Sequence, residues 1–163
     1  MAQAAPTGLA EIVSPSLVFP DLRGESAEEV LAEIAARLSG RLEQLEAEPL
    51  RRGFVERERL GSTAIAGGLA VPHCRVAGLA SIRLAVGIHR RGVEFGAADR
   101  RPTHLFFALV SPAAAPGAHL QLLASIARWA RVPGRVEEVV AAPDPAALLA
   151  GAEPGERRGA VGA

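Results

Sequence analysis

A histidine that directly follows a proline is the strongest candidate for chemistry in this sequence. His73 ends the run GSTAIAGGLAVPH, in which residues 69–71 (LAV) form a brief apolar stretch typical of a buried strand. Pro72 has no N–H to continue a strand ladder, so we expect the strand to stop there. Imidazole titrates near neutral pH and can act as a nucleophile. The pattern predicts a rigidly placed His73 just past a strand end, where it either caps the strand or takes part in a reaction.

The stretch over residues 61–75, GSTAIAGGLAVPHCR, resembles the fructose/mannitol-type (type 2) IIA phosphocarrier domain of the bacterial sugar phosphotransferase system. Together with FVERERL before it and the region of His119 after it, the resemblance covers residues 17–149 and is strongest to the nitrogen-regulatory IIA branch. The core pattern GST-x-I-x-x-G-x-A-x-P-H is specific, because many positions match in order. Ala64 and Ala66 stand where the family usually has glycine, and Cys74 replaces another common glycine.

The resemblance implies three site residues, each carried over by its own position. His73 matches the family's phosphorylated histidine, which takes a phosphoryl group from an HPr-type protein, while Arg57 and His119 match a nearby arginine and a second histidine. A phosphoryl group adds up to about −2 charge, which an arginine fork can meet. His119, expected at a helix start, would add free N–H groups that favour an anion. Ser62 and Thr63 are expected to supply hydroxyl groups nearby.

Less specific interpretations stay open for the same residues. Arg57 could be a solvated helix cation, His119 an ordinary residue of a helix N-terminus, and Ser62 and Thr63 could simply end a loop. Outside this set, we expect structural or exposed roles for the remaining reactive or aromatic side chains, which are His89, His104, Cys74 and Trp129. An exposed Trp129 would permit self-association.

Three functions are compatible with these residues. In the first, His73 receives a phosphoryl group from an HPr-type protein and passes it to a IIB partner. In the second, the domain is a regulatory binding module, and phosphorylation of His73 switches its binding to a transporter or kinase. The third and weakest is a divalent-metal site built from His73, His119 and Cys74, whose spacing follows no zinc pattern. No P-loop or acidic metal cluster is present, so we expect no cofactor and no bound metal.

Composition limits the class of protein. A length of 163 residues predicts one domain, and 18 basic residues balance 18 acidic ones, so no global charge points to nucleic acid or an anionic membrane. No apolar run is long enough to span a bilayer, and the N-terminus does not read as a signal peptide. One cysteine excludes an internal disulfide. We therefore expect a cytoplasmic protein without direct membrane insertion.

The apolar periodicity predicts an α/β fold, a single-domain sandwich in which a small mixed central sheet is flanked by helices. We expect a flexible N-terminus over residues 1–12, the domain over 13–150 and a flexible tail over 151–163. A capping box at Ser26 should open the first long helix. The expected elements are strands at 17–19, 69–71, 81–89 and 103–110, and helices at 27–40, 49–59, 119–131, 136–142 and 145–149. In the helix over 119–131, we expect Leu120 to face inward.

Overall fold

A mixed sheet of six strands lies at the centre of the protein, which a computed structural model describes over residues 8–151. In chain order the strands are β1 (Val18–Phe19), β2 (Ala64–Ile65), β3 (Leu69–Ala70), β4 (His73–Val76), β5 (Arg83–Val93) and β6 (Thr103–Pro112). They are arranged β1-β5-β6-β3-β2, and β4 also pairs with β6. The β5–β6 and β2–β3 pairs are antiparallel, whereas β1 with β5 and both β3 and β4 with β6 are parallel. The prediction of a small mixed sheet is confirmed.

Helices cover both faces of this sheet, as the sandwich prediction requires. They are α1 (Leu9–Ile12), α2 (Ala27–Arg41), α3 (Ala47–Arg59), α4 (Pro116–Ala130), α5 (Arg135–Ala141) and α6 (Pro145–Ala150). One core lies between the sheet and α2 with α3, and the other between the sheet and α1, α4, α5 and α6. Burial of two apolar faces explains why the central strands carry apolar residues at consecutive positions.

β6 shows this double burial most clearly. Leu105, Phe107 and Leu109 enter one core, while Phe106 and Ala108 enter the other, and all five are fully buried. Their alternation follows from the two-residue repeat of a strand, which sends successive side chains to opposite faces. The apolar run therefore predicted a central strand correctly, and β6 is the element on which the neighbouring strands assemble.

The capping signal at Ser26 also has the expected effect. Its side chain accepts a hydrogen bond of 3.2 Å from the backbone N–H of Glu29, and α2 begins at the next residue, Ala27. The carboxylate of Glu29 accepts in turn from the backbone N–H of Glu25 at 2.6 Å. The first bond satisfies an amide group that the first helical turn leaves without a partner, and the second ties the residue before the cap to the helix.

The inward face of α4 differs from the prediction. The helix begins at Pro116, three residues earlier than expected, because the fixed φ of proline suits the first helical position. Its buried residues are His119, Leu122, Ser125, Ile126 and Trp129. The expectation that Leu120 faces inward is wrong, since this side chain is 62% exposed. Trp129 is buried against Phe107 in an edge-on ring contact, so of the structural and exposed roles left open for it the structure supports the structural one.

The last residues of the N-terminal segment that was predicted to be flexible form a short helix. Leu9–Ile12 form α1, and Leu9 is buried in the second core. Of the other residues expected to be flexible, 1–7 and 152–163 lie outside the described part of the chain. Within residues 8–151, no helix has the length and apolar character needed to cross a membrane.

Candidate active site

His73 is fixed by backbone bonds on both sides of Pro72. The carbonyl of Pro72 accepts from the N–H of Leu109 at 2.8 Å, and the N–H of Val71 donates to the carbonyl of Thr63 at 3.0 Å. Pairing with β6 then resumes at His73, which lies opposite Leu109. As expected, β3 ends before Pro72 and His73 lies just past it, but His73 is also the first residue of β4. Proline removes one donor but leaves its acceptor, so the strand direction continues through it.

The hydrogen bonds of the His73 ring define its protonation. Its Nδ1 lies 2.9 Å from the carbonyl oxygen of Val71, and a carbonyl can only accept, so Nδ1 carries the hydrogen. Its Nε2 lies 3.0 Å from the Nε–H group of Arg57, which can only donate. Nε2 therefore holds a lone pair. This is the tautomer that a nucleophilic imidazole nitrogen requires.

Arg57 reaches His73 from the last turn of α3. Besides the bond to His73, its Nη1 donates to the carbonyl of Gly61 at 2.9 Å. Gly61 has a φ of +152°, a region where glycine is favoured because it lacks a Cβ. The guanidinium is thus held by the chain segment that leaves α3, and the prediction that Arg57 and His73 lie together agrees with the structure.

His119 lies beside His73, with ring centroids 5.0 Å apart and planes tilted by 60°. It is the fourth residue of α4, and its backbone N–H already bonds to Ala115 at 3.5 Å, so the expected position at the helix start is corrected. The ring is only 3% exposed. Its Nδ1 forms a short hydrogen bond with the hydroxyl group of Ser111, near the end of β6.

Ser111 was not among the predicted site residues. It is fully buried at the end of an apolar strand, directly before Pro112. A polar residue among apolar ones at a strand end is a signal that could have marked it, because buried polar groups need a partner. The identity of that partner, eight residues along the chain and on another element, depends on the tertiary fold.

Burial keeps both histidine rings neutral near pH 7. It lowers the pKa of His119 to about 4, and repulsion from the charge that His73 carries when protonated, and from Arg75, adds to this effect. Burial also lowers the pKa of His73, which the hydrogen bond to Val71 partly opposes. Nearby Arg57 and Arg75 lower the pKa of His73 further, whereas the carboxylate of Glu58 raises it. Nε2 of His73 is therefore unprotonated at physiological pH, and its lone pair accepts the hydrogen bond from Arg57.

The hydroxyl groups of Ser62 and Thr63 are engaged elsewhere. Ser62 Oγ donates to the carbonyl of Phe95 at 2.6 Å and accepts from the N–H of Ala64. Thr63 Oγ1 donates to Glu58 at 2.7 Å, and the N–H of Thr63 bonds to the same carboxylate. Neither hydroxyl is a hydrogen-bond partner of His73. Both residues stabilise the loop between α3 and β2, and their hydroxyl groups do not contact the imidazole as predicted.

The proposed metal ligands do not form a set. In the described part of the chain, no three His, Cys, Asp or Glu side chains lie close enough to hold a metal ion. Cys74 lies against α3, where a Cβ placed on Gly53 would be 3.1 Å from the Cβ of Cys74. Burial raises the pKa of the Cys74 thiol to about 12, so it stays protonated at neutral pH. The third alternative, a divalent-metal site, therefore has no support.

The two remaining histidines, His89 and His104, lie at the end of the β5–β6 pair that is away from His73. His89 Nε2 lies 2.8 Å from the carbonyl of Gly24, and His104 Nδ1 lies 3.0 Å from the carbonyl of His89. His104 belongs to the start of β6, whereas His73 is opposite Leu109 near its end. These contacts are structural, as expected for both residues.

The fold is a mixed sheet flanked by helices, and the site holds a neutral histidine that is bonded to an arginine and lies beside a second, buried histidine. This combination is that of a IIA domain of the phosphotransferase system. The model of the family "Phosphoenolpyruvate-dependent sugar phosphotransferase system, EIIA 2" matches residues 11–151. The chain belongs to that family. The family assignment made from the His73 motif is thereby confirmed.

Individual relatives agree with this assignment. The chain is 38% identical over 119 residues to a nitrogen regulatory protein of Pseudomonas aeruginosa, covering 73% of this chain and 77% of the relative. The crystal structure of the nitrogen regulatory protein IIA-Ntr from Neisseria meningitidis superposes with a TM-score of 0.77 at 28% identity, over 86% of this chain and 96% of that one. Mannitol IIA of Escherichia coli, solved in complex with phosphorylated enzyme IIB, has a TM-score of 0.63 at 16% identity, over 84% and 95% of the chains. This last likeness shows the fold alone.

Proposed function

We propose that the protein accepts a phosphoryl group on Nε2 of His73 from an HPr-type phosphoprotein. The observation that carries the proposal is the pair of bonds on the His73 ring. Val71 holds the hydrogen on Nδ1, and Arg57 faces the unprotonated Nε2. In the transfer, the P–N bond of the donor breaks as the Nε2–P bond forms. No proton has to leave Nε2, because that nitrogen holds none.

The charges around His73 suit the product. A phosphohistidine adds up to about −2 charge, and Arg57 already lies within hydrogen-bond distance of the nitrogen that would carry it. Arg75, two residues along β4, projects to the same face of the strand, and its charge acts on both histidines. Positioning and charge stabilisation supply most of the catalysis in phosphoryl transfer, so this site needs no metal.

A protein partner is the expected donor and acceptor. Leu60, immediately after α3, is 84% exposed, and Leu120, next to His119, is 62% exposed. Both flank the residues of the site along the chain, so a partner that reaches His73 has apolar side chains to contact. Single exposed apolar residues are ordinary on protein surfaces, so we propose these two as partner contacts only because they adjoin the site residues in sequence.

We infer that phosphorylation of His73 serves as a regulatory switch. The likeness to nitrogen regulatory proteins supports this choice. A doubly negative group placed between Arg57 and Arg75 changes the surface that a transporter or kinase would contact. Transfer to a IIB component is the second candidate function, and the family description, which names a sugar phosphotransferase system, supports it.

Phosphoryl uptake can be tested with purified components. The protein is incubated with phosphoenolpyruvate, the phosphotransferase enzyme I and an HPr-type protein, and intact mass is measured at neutral and acid pH. We expect one acid-labile phosphoryl group, absent from His73→Ala and retained in His104→Ala, the matched control at the far end of β6. Absence of uptake by the wild type, or uptake by His73→Ala, would overturn the proposal.

The two fates of the phosphoryl group require a second experiment. The phosphorylated protein is mixed with a purified IIB component, and transfer is followed by mass. Binding partners of His73→Ala and of the charged variant His73→Asp are then compared in pull-downs. Different partners without transfer to IIB support the switch, whereas rapid transfer with identical partners supports the carrier role.

A further inference from the structure

Ser111 places a buried hydroxyl group against the second histidine of the site. The residue is fully buried, and its Oγ forms a short hydrogen bond with Nδ1 of His119. His119 is buried as well and is in ring contact with His73. The direction of the Ser111 bond therefore decides which nitrogen of His119 carries a hydrogen towards the rest of the site.

Hydrogen-bond accounting fixes that direction. Within residues 8–151, Nδ1 of His119 is the one hydrogen-bond partner of the Ser111 hydroxyl. If Nδ1 carried the hydrogen and donated it, the buried hydroxyl hydrogen of Ser111 would have no acceptor. A buried polar group without a partner destabilises the folded state. If Ser111 donates, the hydroxyl hydrogen and the Nδ1 lone pair satisfy each other.

We propose that Ser111 is a positioning residue whose hydroxyl donates to Nδ1 of His119 and holds that ring as the Nε2–H tautomer. The functional meaning of this assignment rests on the proposed phosphoryl transfer at His73. The neighbouring rings then have opposite tautomers. His73 presents a lone pair on Nε2 for attack, and His119 has its N–H on Nε2 as a donor for a phosphoryl oxygen. No proton changes hands, because His119 only donates a hydrogen bond.

The arrangement is useful because the His119 ring is neutral. Burial lowers its pKa to about 4, so near pH 7 it has one N–H, and a freely exchanging ring would divide that hydrogen between two nitrogens. Ser111 removes this ambiguity before a donor protein arrives. A donor fixed in advance costs no reorganisation during the transfer.

The tautomer can be measured directly. Long-range ¹H–¹⁵N spectra of the imidazole groups at pH 7 distinguish Nδ1–H from Nε2–H for each of the four histidines. We expect His119 to be Nε2–H in the wild type and in Ser111→Thr, which keeps a hydroxyl, and a mixture of tautomers in Ser111→Ala. Ser125→Ala is the matched control, since it removes another buried serine hydroxyl, on the helix of His119 itself.

The rate of phosphoryl uptake at His73 provides the second readout. We expect Ser111→Ala to slow uptake by about 3- to 10-fold, the equivalent of one hydrogen bond, with restoration in Ser111→Thr and no change in Ser125→Ala. A wild-type His119 in the Nδ1–H form would overturn the proposal. So would an unchanged tautomer and rate in Ser111→Ala.

Failure of this proposal is distinguishable from failure of the proposed function. If the wild type takes up no phosphoryl group but His119 loses its single tautomer in Ser111→Ala, phosphorylation of His73 is refuted and the assignment of the Ser111 bond stands. If Ser111→Ala does not fold, the wild-type spectrum and Ser111→Thr decide the assignment.

Discussion

Protonation of His119 should make the folded state less stable in mild acid. Burial lowers its pKa from the ordinary 6.5 to about 4. Between pH 4 and 6.5, His119 is therefore protonated in the unfolded chain but not in the folded protein. Stability then rises with pH across this window. The contribution is fully present above pH 6.5 and is lost as the pH falls towards 4. Below about pH 4 both states are protonated, and this histidine causes no further loss.

The size of the effect follows from the same two values. One pKa unit corresponds to about 1.4 kcal/mol, so the difference between 6.5 and about 4 is worth at most about 3.5 kcal/mol. The side chain is almost completely buried, so solvent screening reduces this figure little. Small domains have total stabilities of about 5–15 kcal/mol, so the change is large enough to measure.

The assay is urea unfolding followed by circular dichroism at several pH values from 4 to 7. His119→Gln cannot be protonated and keeps polar atoms that can reach Ser111. We expect the variant to lose about 3 kcal/mol less stability than the wild type between pH 6.5 and 4. Carboxylates titrate in both proteins, so the difference between the two curves isolates His119. Ser125→Ala is the control, because it removes a buried polar group from the same helix without removing a titratable one, and its pH dependence should follow the wild type. Parallel curves for wild type and His119→Gln would refute the reasoning.

Three further predictions concern the site and the chain around it. Arg57→Ala should slow phosphoryl uptake by about 10- to 100-fold, the equivalent of one charged hydrogen bond, and a rate unchanged in the mass assay would contradict the role of Arg57. Gly92→Ala should lower the unfolding free energy by at least about 1 kcal/mol, because φ is +79° and a Cβ would lie 2.7 Å from the His104 ring. Gly117→Ala is its control, since that Cβ meets open space in α4, and equal urea midpoints for the two variants would count against the argument. Cys74 should react with a thiol reagent at pH 8 much more slowly in the native protein than in urea, because its pKa is raised to about 12; equal rates would show an accessible thiolate.

The main elements of the fold were predictable because their signals are local. The apolar run of β6 indicated a strand buried on both faces, and the cap at Ser26 located the start of α2. The face of α4 was predicted wrongly because its apolar residues support two neighbouring stripes that share Ile126. The prediction took the stripe through Leu120, whereas the stripe through Leu122 and Trp129 faces the core.

For the candidate site, the sequence predicted only the residues that match positions of the family. The resemblance brought Arg57, His73 and His119 together, and the structure places all three in contact through His73. Ser111 was missed because the bond that gives it meaning joins a strand end to a helix packed over it. The hydroxyl groups of Ser62 and Thr63 were expected near His73 on sequence proximity alone, which does not fix the direction of a side chain.

The attachment of β4 to β6 has a mechanical consequence. His73 is fastened opposite Leu109, whose amide is held by the carbonyl of Pro72 in the middle of the doubly covered sheet. Such amides exchange with solvent deuterium only when a large part of the molecule opens. The proposed nucleophile is therefore fixed to the central sheet through β4, and we expect the incoming protein to make the motion that aligns donor and acceptor.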